Sequence, residues 1–464
     1  MLANRQKNIR VLFPRPQHKA ARCAWLAVLA TLFIISGCVQ EQDSNPSIRG
    51  QFVQFSVGAP ENRLHALEWI KDHWQPGFEA MAIEALSFSG GRESRDKMVE
   101  LLERKTGQSL GGDTDAWQRW LWRDGPRPHP RYAEVKASYY AMVDVSYREY
   151  FRNSPNTDIR LDEVQWIGLR RSDDLPPLTR PVMQAANDSG LDDDEIIVGV
   201  VLNNQARAYA RGLIAQHGVV RDEIDENHFM LVNDTLTGSA AAYLLADEQH
   251  ALAASGFLHR GDTLLYDPTT QSLWSSLRGR PVVGPLVAQN IQLKQLPAVT
   301  TQWGEWRNQH PDSRVTADDP SEQDYLIGQA KYRQFVAADR LVESETKPNL
   351  KAHTQVLGLT QNGHALAIPL RFLLKHRIYQ KQLGTQIISV LTSHLGASRA
   401  YLTDDVTIQK WLSEAAVADS NGQSWQVSEQ ALINDAGTRL PRLPVRHAHW
   451  LAWQGAYPDT QVAE

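Results

Sequence analysis

The sequence predicts an α+β chain: an N-terminal helical domain followed by two tandem duplicated β-rich units, each with at least one helix. Three observations predict it. Apolar residues between 61 and 150 recur at helical spacing. Beyond 150, short runs rich in Val, Ile and Leu alternate with turn residues. Within that second region, two stretches repeat the same residues in the same order.

The first element is a basic leader, Arg5, Lys7, Arg10, Arg15, Lys19 and Arg22, without an acidic residue. An apolar run from Ala24 to Ile35 follows, too short to span a bilayer as a helix but right for a signal-peptide core. It ends in Ile35-Ser36-Gly37-Cys38, the pattern of a site cut once the thiol carries lipid. The expectation is a signal peptide over 1–37 and a lipid (palmitate among its acyl chains) on Cys38. Because Val39 rather than Asp follows, the expected address is the outer membrane, facing the periplasm. Residues 38–60 read as a polar tether.

The helical domain is expected over 61–150. Leu64, Leu67, Ile70 and Trp74 form one stripe, and Met98, Leu101 and Leu102 a second, closed by Gly107 as a C-cap. Asp115 precedes Trp117, Trp120 and Leu121, and Tyr132 to Tyr150 gives a further amphipathic stretch. The first β-rich copy, with its approach segment, is placed at 151–318, a connector at 319–344 and the second copy at 345–464. Ile196 to Val201, Asn203-Asn204 and Ala206 to Tyr209 read as a hairpin feeding a helix. Leu357-Gly358-Leu359, Asn362-Gly363 and Ala365 to Ile368 repeat it, Gly199 answering Gly358 and His217 answering His376 without a gap. Trp303 and Trp306 before Pro311-Asp312 are likewise matched by Trp450 and Trp453 before Pro458-Asp459. Ordered matches of this kind imply two structural copies.

Composition excludes several classes. Six of the 48 Lys and Arg lie in the leader and none of the 53 Asp and Glu, which leaves 42 against 53, a net of −11, for the rest. A net acidic body without a basic stripe is a poor candidate for nucleic acid. The two cysteines are Cys23 in the leader and Cys38 under the lipid, so the folded body has no thiol or disulfide chemistry.

Ala206-Arg207-Ala208-Tyr209, Tyr266-Asp267-Pro268 with Ser272-Leu273-Trp274, Gly279-Arg280 with Val283-Gly284-Pro285-Leu286, and Trp303, Trp306, His310-Pro311-Asp312 come in an order that resembles the bacterial family known as domain of unknown function 3179. Ile159 to Trp166, Leu175-Pro176-Pro177-Leu178 and the ending Trp450 to Thr460 extend the likeness over most of 150–464. The family has no established activity. The resemblance implies a site at a segment where many members carry two cysteines near a His. Here that segment reads Asn233-Asp234-Thr235-Leu236-Thr237-Gly238-Ser239-Ala240, with Asp234 and Thr237 in the cysteine positions and His217 in that of the His. Thiol chemistry is therefore not carried over.

Two constellations can still bear chemistry. His217, Asp222 and Asp234 can hold a divalent metal or act as an acid/base set; the alternative is a His capping a helix and an Asp satisfying turn amides. His447 and His449, two apart on a strand, share a face and can grip a metal. Glu226 and His228 fall in a polar loop, and His364 and His376 read as structural. Arg207 and Arg211, one turn apart on a predicted helix, can bind an anion or form a solvated face. The paired Trp can stack a glycan if exposed or anchor a core if buried. No nucleophile elbow, phosphate loop or dinucleotide fingerprint occurs.

The leading expectation is a lipid-anchored binding or scaffold protein, non-catalytic or with a degenerate family site, offering a groove between its two β-rich units to an envelope protein or glycan. A metal-dependent protein and a glycan-binding module are the alternatives.

Overall fold

Apolar spacing in the first third of the chain becomes seven helices in the computed structural model, which describes residues 47–152, 156–168, 176–234, 238–245, 251–317 and 350–463. They are α1 (Ile48–Val57), α2 (Pro60–Asp72), α3 (Phe78–Phe88), α4 (Arg92–Thr106), α5 (Thr114–Arg123), α6 (Tyr132–Tyr140) and α7 (Arg148–Arg152). Gly107 takes the left-handed conformation that closes α4 (φ 72°). Asp113 caps α5, accepting from the amides of Asp115 and Ala116. The Tyr132–Tyr150 stretch breaks after α6 into a turn and a short 3-10 segment before α7.

α1 corrects the expected tether. Ile48, Phe52 and Phe55 form an i, i+4, i+7 stripe, and both Phe rings are fully buried. Ser56 donates to the Tyr139 hydroxyl at 2.9 Å, and Tyr139 donates to the Phe52 carbonyl at 2.7 Å, which fastens α1 to α6. Residues 48–57 are therefore part of the core. The lipidation site Cys38, the leader and the connector 319–344 lie outside the described residues.

The β-rich region begins with β1 (Val164–Trp166), β2 (Leu178–Thr179), β3 (Met183–Ala185), β4 (Ile196–Leu202) and β5 (Gln205–Ala210), then α8 (Arg211–His217). β6 (Val219–Ile224), β7 (Asn227–Asp234), β8 (Ser239–Leu244), β9 (Ala253–His259), β10 (Asp262–Tyr266), β11 (Leu273–Ser275) and β12 (Arg280–Val283) follow. The first segment ends with β13 (Lys294–Leu296), β14 (Ala298–Gln302), α9 (Trp303–Gln309) and β15 (Arg314–Thr316). The second comprises β16 (Gln355–Gln361), β17 (His364–Pro369), α10 (Leu370–Lys375), β18 (Ile378–Leu383), β19 (Gln386–Thr392) and β20 (Ser398–Leu402). After these come β21 (Ile408–Ser413), β22 (Ala416–Asp419), β23 (Ser424–Val427), β24 (Ala431–Asn434), β25 (Arg439–Leu443), β26 (Arg446–His449), α11 (Trp450–Ala456) and β27 (Gln461–Val462). The architecture is α+β, with most helices N-terminal and β-rich sheets after them.

Four sheets result. β1-β9-β10-β11-β12 faces the helices, and Phe257 of β9 is ringed by Tyr140, Tyr147, Tyr150 and Phe151 at centroid distances of 5.1–5.9 Å. The helical region thus shares one core with this sheet. β14-β4-β5-β15-β3 is the second sheet, and β18-β19-β20-β25-β24-β23-β22-β21 the third. The fourth runs β2-β6-β7-β8-β26-β16-β17-β27, with β13 on β8.

Both hairpins turn as the sequence predicts: Asn203 and Asn204, and then Asn362 and Gly363, have positive φ, as a two-residue type I′ turn requires. β4 and β5 pair with Gly199 opposite Ala208, and β15 runs parallel to β5 with Val315 opposite Ala208. β16 and β17 pair with Gly358 opposite Ala367, and β27 runs parallel to β17 with Val462 opposite Ala367. Gly199 lies under the Trp306 ring and Gly358 under the Trp453 ring; a Cβ at either would sit under 3.0 Å from ring carbons. A buried charge cluster joins the two segments. Arg399 donates to Glu429 at 2.7 Å and Gln309 at 3.0 Å, and Ser393 donates to Glu305 of α9 at 3.0 Å.

Candidate functional site

The site is assembled by β26, the penultimate strand. Alternation along β26 buries Arg446 and Ala448 and turns His447 and His449 to the other face. One edge of β26 pairs with β16, His447 opposite Leu357 and His449 opposite Gln355. The other edge meets β8, His447 opposite Ala240. The two sequence motifs treated above as separate, the His447-Ala448-His449 strand and the Asn233–Ala240 segment, therefore lie side by side. The His449 ring covers Gly238: a Cβ there would stand 2.9 Å from Cδ2 and 3.0 Å from Nε2. His449 also meets the His353 ring edge-on at 5.4 Å.

Beside this junction is a cavity of about 900 Å³ lined from both β-rich segments. The first segment contributes Ile196, Arg211 and Thr300–Gln302, and the second Gln355, Pro369, Leu370, Arg371, Leu374, Leu395, Gly396 and His447, with Leu350–Thr354 closing one side. Asn233, fully buried, holds Arg211 at both ends. Its Oδ1 accepts from Arg211 Nε at 3.1 Å, and its Nδ2 donates to the Arg211 carbonyl at 3.4 Å. Burial lowers the Arg211 pKa. Burial, then the neighbouring Arg211 charge, pushes His447 down to about 4, so its imidazole is neutral at pH 7 and offers one donor and one acceptor. Among the described residues no Asp or Glu lines the cavity.

His217 and Asp222 do not join this site or each other. His217 ends α8, buried, with Nδ1 at 2.8 Å from the Pro176 carbonyl, and burial lowers its pKa against the effect of that bond. Asp222 points into the first segment's core, where Oδ2 accepts from Arg207 Nη1 and the Tyr209 hydroxyl, each at 2.6 Å. The chain turns at Gly218, with φ 68°, and β6 then carries Asp222 about 10 Å along the strand from Val219. Asp234 closes β7 opposite Ser239, and its side chain, like all of Thr237, lies outside the described residues. Among the described residues no group of three His, Cys, Asp or Glu is placed to hold a metal ion, His447, His449 and His353 included. The convergence expected of His217, Asp222 and Asp234 thus fails where it is visible, because Asp222 is committed to a core ion pair.

Two further expectations are corrected. Arg207 and Arg211 do not share a helix: β5 runs on to Ala210, so Arg207 stays on the strand with Asp222 while Arg211 opens α8 toward the cavity. Trp303, Trp306, Trp450 and Trp453 are all at most 1% exposed. They are core anchors, so no glycan-stacking platform is built from them. Sequence reasoning did not single out Lys351, His353 or Arg371; they carry no spacing signal and become neighbours only through the fold.

A family profile described as Protein of unknown function (DUF3179) matches residues 172–460. The chain belongs to that family. The match contains every residue lining the cavity and both edges of the β8–β26 junction, and it leaves out the seven N-terminal helices. Comparison with curated proteins and with solved structures returned no match. Within the Asn233–Ala240 segment, Asn233 positions Arg211 and Gly238 makes room for His449. Those are packing and orienting roles, and neither needs a thiol.

Proposed function

We propose that this chain is a ligand-binding protein of the bacterial envelope, held to the membrane by lipid on Cys38, with a binding cleft between two copies of one β-rich unit. The observation that carries the reading is the cavity of about 900 Å³ walled by both segments. It falls in the size range of small-molecule sites, roughly 300–1,000 Å³. Binding is supported by what surrounds it: a neutral His447 and a positioned Arg211. The lipid anchor rests on the basic leader, the apolar run and the Gly37-Cys38 ending. Among the described residues no helix is long and apolar enough to cross a membrane.

The duplication is part of the same proposal. It is supported by matched hairpins, matched parallel closing strands and a glycine under a tryptophan in each segment. A cleft at the seam of two related units is where such a pair can hold a ligand that neither grips alone.

The test is native mass spectrometry of the full chain extracted from membranes in mild detergent. The expected spectrum has an acylated N-terminal cysteine and a bound small molecule of defined mass. That molecule is lost when Ile196→Trp fills the cavity. A protein equally loaded in the filled variant would overturn the cleft, and an unmodified cysteine would overturn the anchor.

A further inference from the structure

We propose that the ligand of this cleft is an amphiphilic anion, a carboxylate or phosphate carried on an aliphatic chain. The inference rests on the cleft being the binding site. Its charge is the first argument. The protein carries more acidic than basic residues, yet Arg211, Lys351 and Arg371 line one cavity without a carboxylate among its described walls. None of the three makes an ion pair with any described residue, whereas arginines close to the same seam do: Arg377 with Glu414, Arg307 with Asp193, Arg399 with Glu429. Three cations left together in an acidic protein leave an electrostatic vacancy that an anion fills. Arg211 is the one best placed to act as anchor. Asn233 takes its Nε, which leaves the terminal guanidinium nitrogens for a bidentate contact with an oxyanion.

The second argument is the apolar half of the same cavity. Leu370 and Pro369 line it, and Leu374 and Leu395 form its lip, exposed by 53% and 41%. These are two of the few large apolar side chains that the described surface leaves open, and both sit on one cavity. A free inorganic anion would use the cations and leave this lip in water. A neutral hydrocarbon would cover the lip and strand the cations. Only a molecule with both parts satisfies both walls.

Displacement of the fluorescent fatty acid 11-(dansylamino)undecanoate from the full-length protein tests this. Palmitate and lysophosphatidate each present an anion on a chain and differ in headgroup, hexadecanol presents the chain alone, and acetate and inorganic phosphate the charge alone. The expected result is displacement by palmitate or lysophosphatidate, the better of the two naming the headgroup, with the single-feature competitors about tenfold weaker or more. Arg211→Gln and, on the open side where folding is not at stake, Arg371→Gln should each weaken binding by about tenfold, the typical loss for a charge-assisted hydrogen bond. Arg307→Gln, which like its partner Asp193 is not among the cavity's lining residues, should leave it unchanged. Equal displacement by hexadecanol and palmitate, or full affinity in Arg371→Gln and Arg211→Gln together, would overturn the inference. If no amphiphile competes while a co-purified molecule is still lost in Ile196→Trp, the inference falls and the cleft stands. If the probe binds Ile196→Trp at full strength, both fall.

Discussion

Gly358→Ala should destabilise the protein by about 3 kcal/mol through a single methyl group. The new Cβ would stand under 3.0 Å from Cζ3, Cε3 and Cη2 of Trp453. Neither side can yield cheaply. Trp453 is fully buried, donates from Nε1 to Thr460 at 2.9 Å and packs on Tyr457 at 4.5 Å between ring centres. The backbone at 358 is fixed between Ala367 on β17 and Arg446 on β26. Overpacking of a well-filled core costs typically about 1–3 kcal/mol, and three ring atoms met at once place this site at the upper end. Urea denaturation read by linear extrapolation measures it. Gly199→Ala should cost about the same, since Trp306 covers it in the same way. Gly212→Ala, in α8 with nothing near its Cβ position, should be neutral or stabilising by about 0.5–1 kcal/mol. In Gly358→Ala with Trp453→Phe, the smaller ring should make the double variant cheaper than the two single costs combined, by about 1 kcal/mol or more. A Gly358→Ala protein within about 0.5 kcal/mol of the parent would refute the argument, as would strict additivity.

Other expectations concern the core and its charges. Phe52→Ala should cost about 3–5 kcal/mol by urea denaturation, because α1 is core and not tether; a change near zero would return that segment to a tether. Glu163 is buried, which alone would raise its pKa, but bonds from His259 at 3.1 Å and Arg260 at 2.6 and 2.8 Å outweigh burial and bring it to about 2. Against an unfolded value of 4.5, that carboxylate adds roughly 3 kcal/mol above about pH 4.5, lost as pH falls toward 2. Glu163→Gln should therefore be weaker than the parent at pH 7 and nearly level with it at pH 2; an equal gap at both would contradict the pairing. Arg399→Met should cost about 3–5 kcal/mol, since it leaves Glu429 and Glu305 buried beside an apolar side chain, and the melting temperature should register it. The His447 imidazole should titrate near pH 4 by NMR, and Arg211→Gln should move it upward.

Local signals in the chain were legible where short-range chemistry decides the outcome. The Asn203-Asn204 and Asn362-Gly363 turns can only be made by residues that tolerate positive φ, and both hairpins form. Gly107 closes its helix for the same reason. α1 went unread because its core-facing stripe is only Ile48, Phe52 and Phe55, and one of the groups that fasten it, Tyr139, lies more than 80 positions away. The boundary of β5 also escaped: alternating small residues up to Ala210 fit strand or helix alike, and the difference moved Arg207 from the anion site into the core. The candidate site was visible only in pieces. His447-Ala448-His449 and Asn233–Ala240 each stood out, but nothing in the spacing says that β26 lies against β8. The cavity's cations gave no signal at all, because a lone Lys351 or Arg371 in sequence is indistinguishable from any solvated base.

The order in which the β8–β26 seam is laid down has a consequence in time. During synthesis Arg211 leaves the ribosome 236 residues ahead of His447, counting 447 minus 211. The wall that His447 supplies must wait for nearly the whole polypeptide. Until then Arg211 has only its partner Asn233 from the early half, and a nascent chain has no enclosure in which to trap a passing solute. A cavity walled by both residues cannot close before His447 has been made.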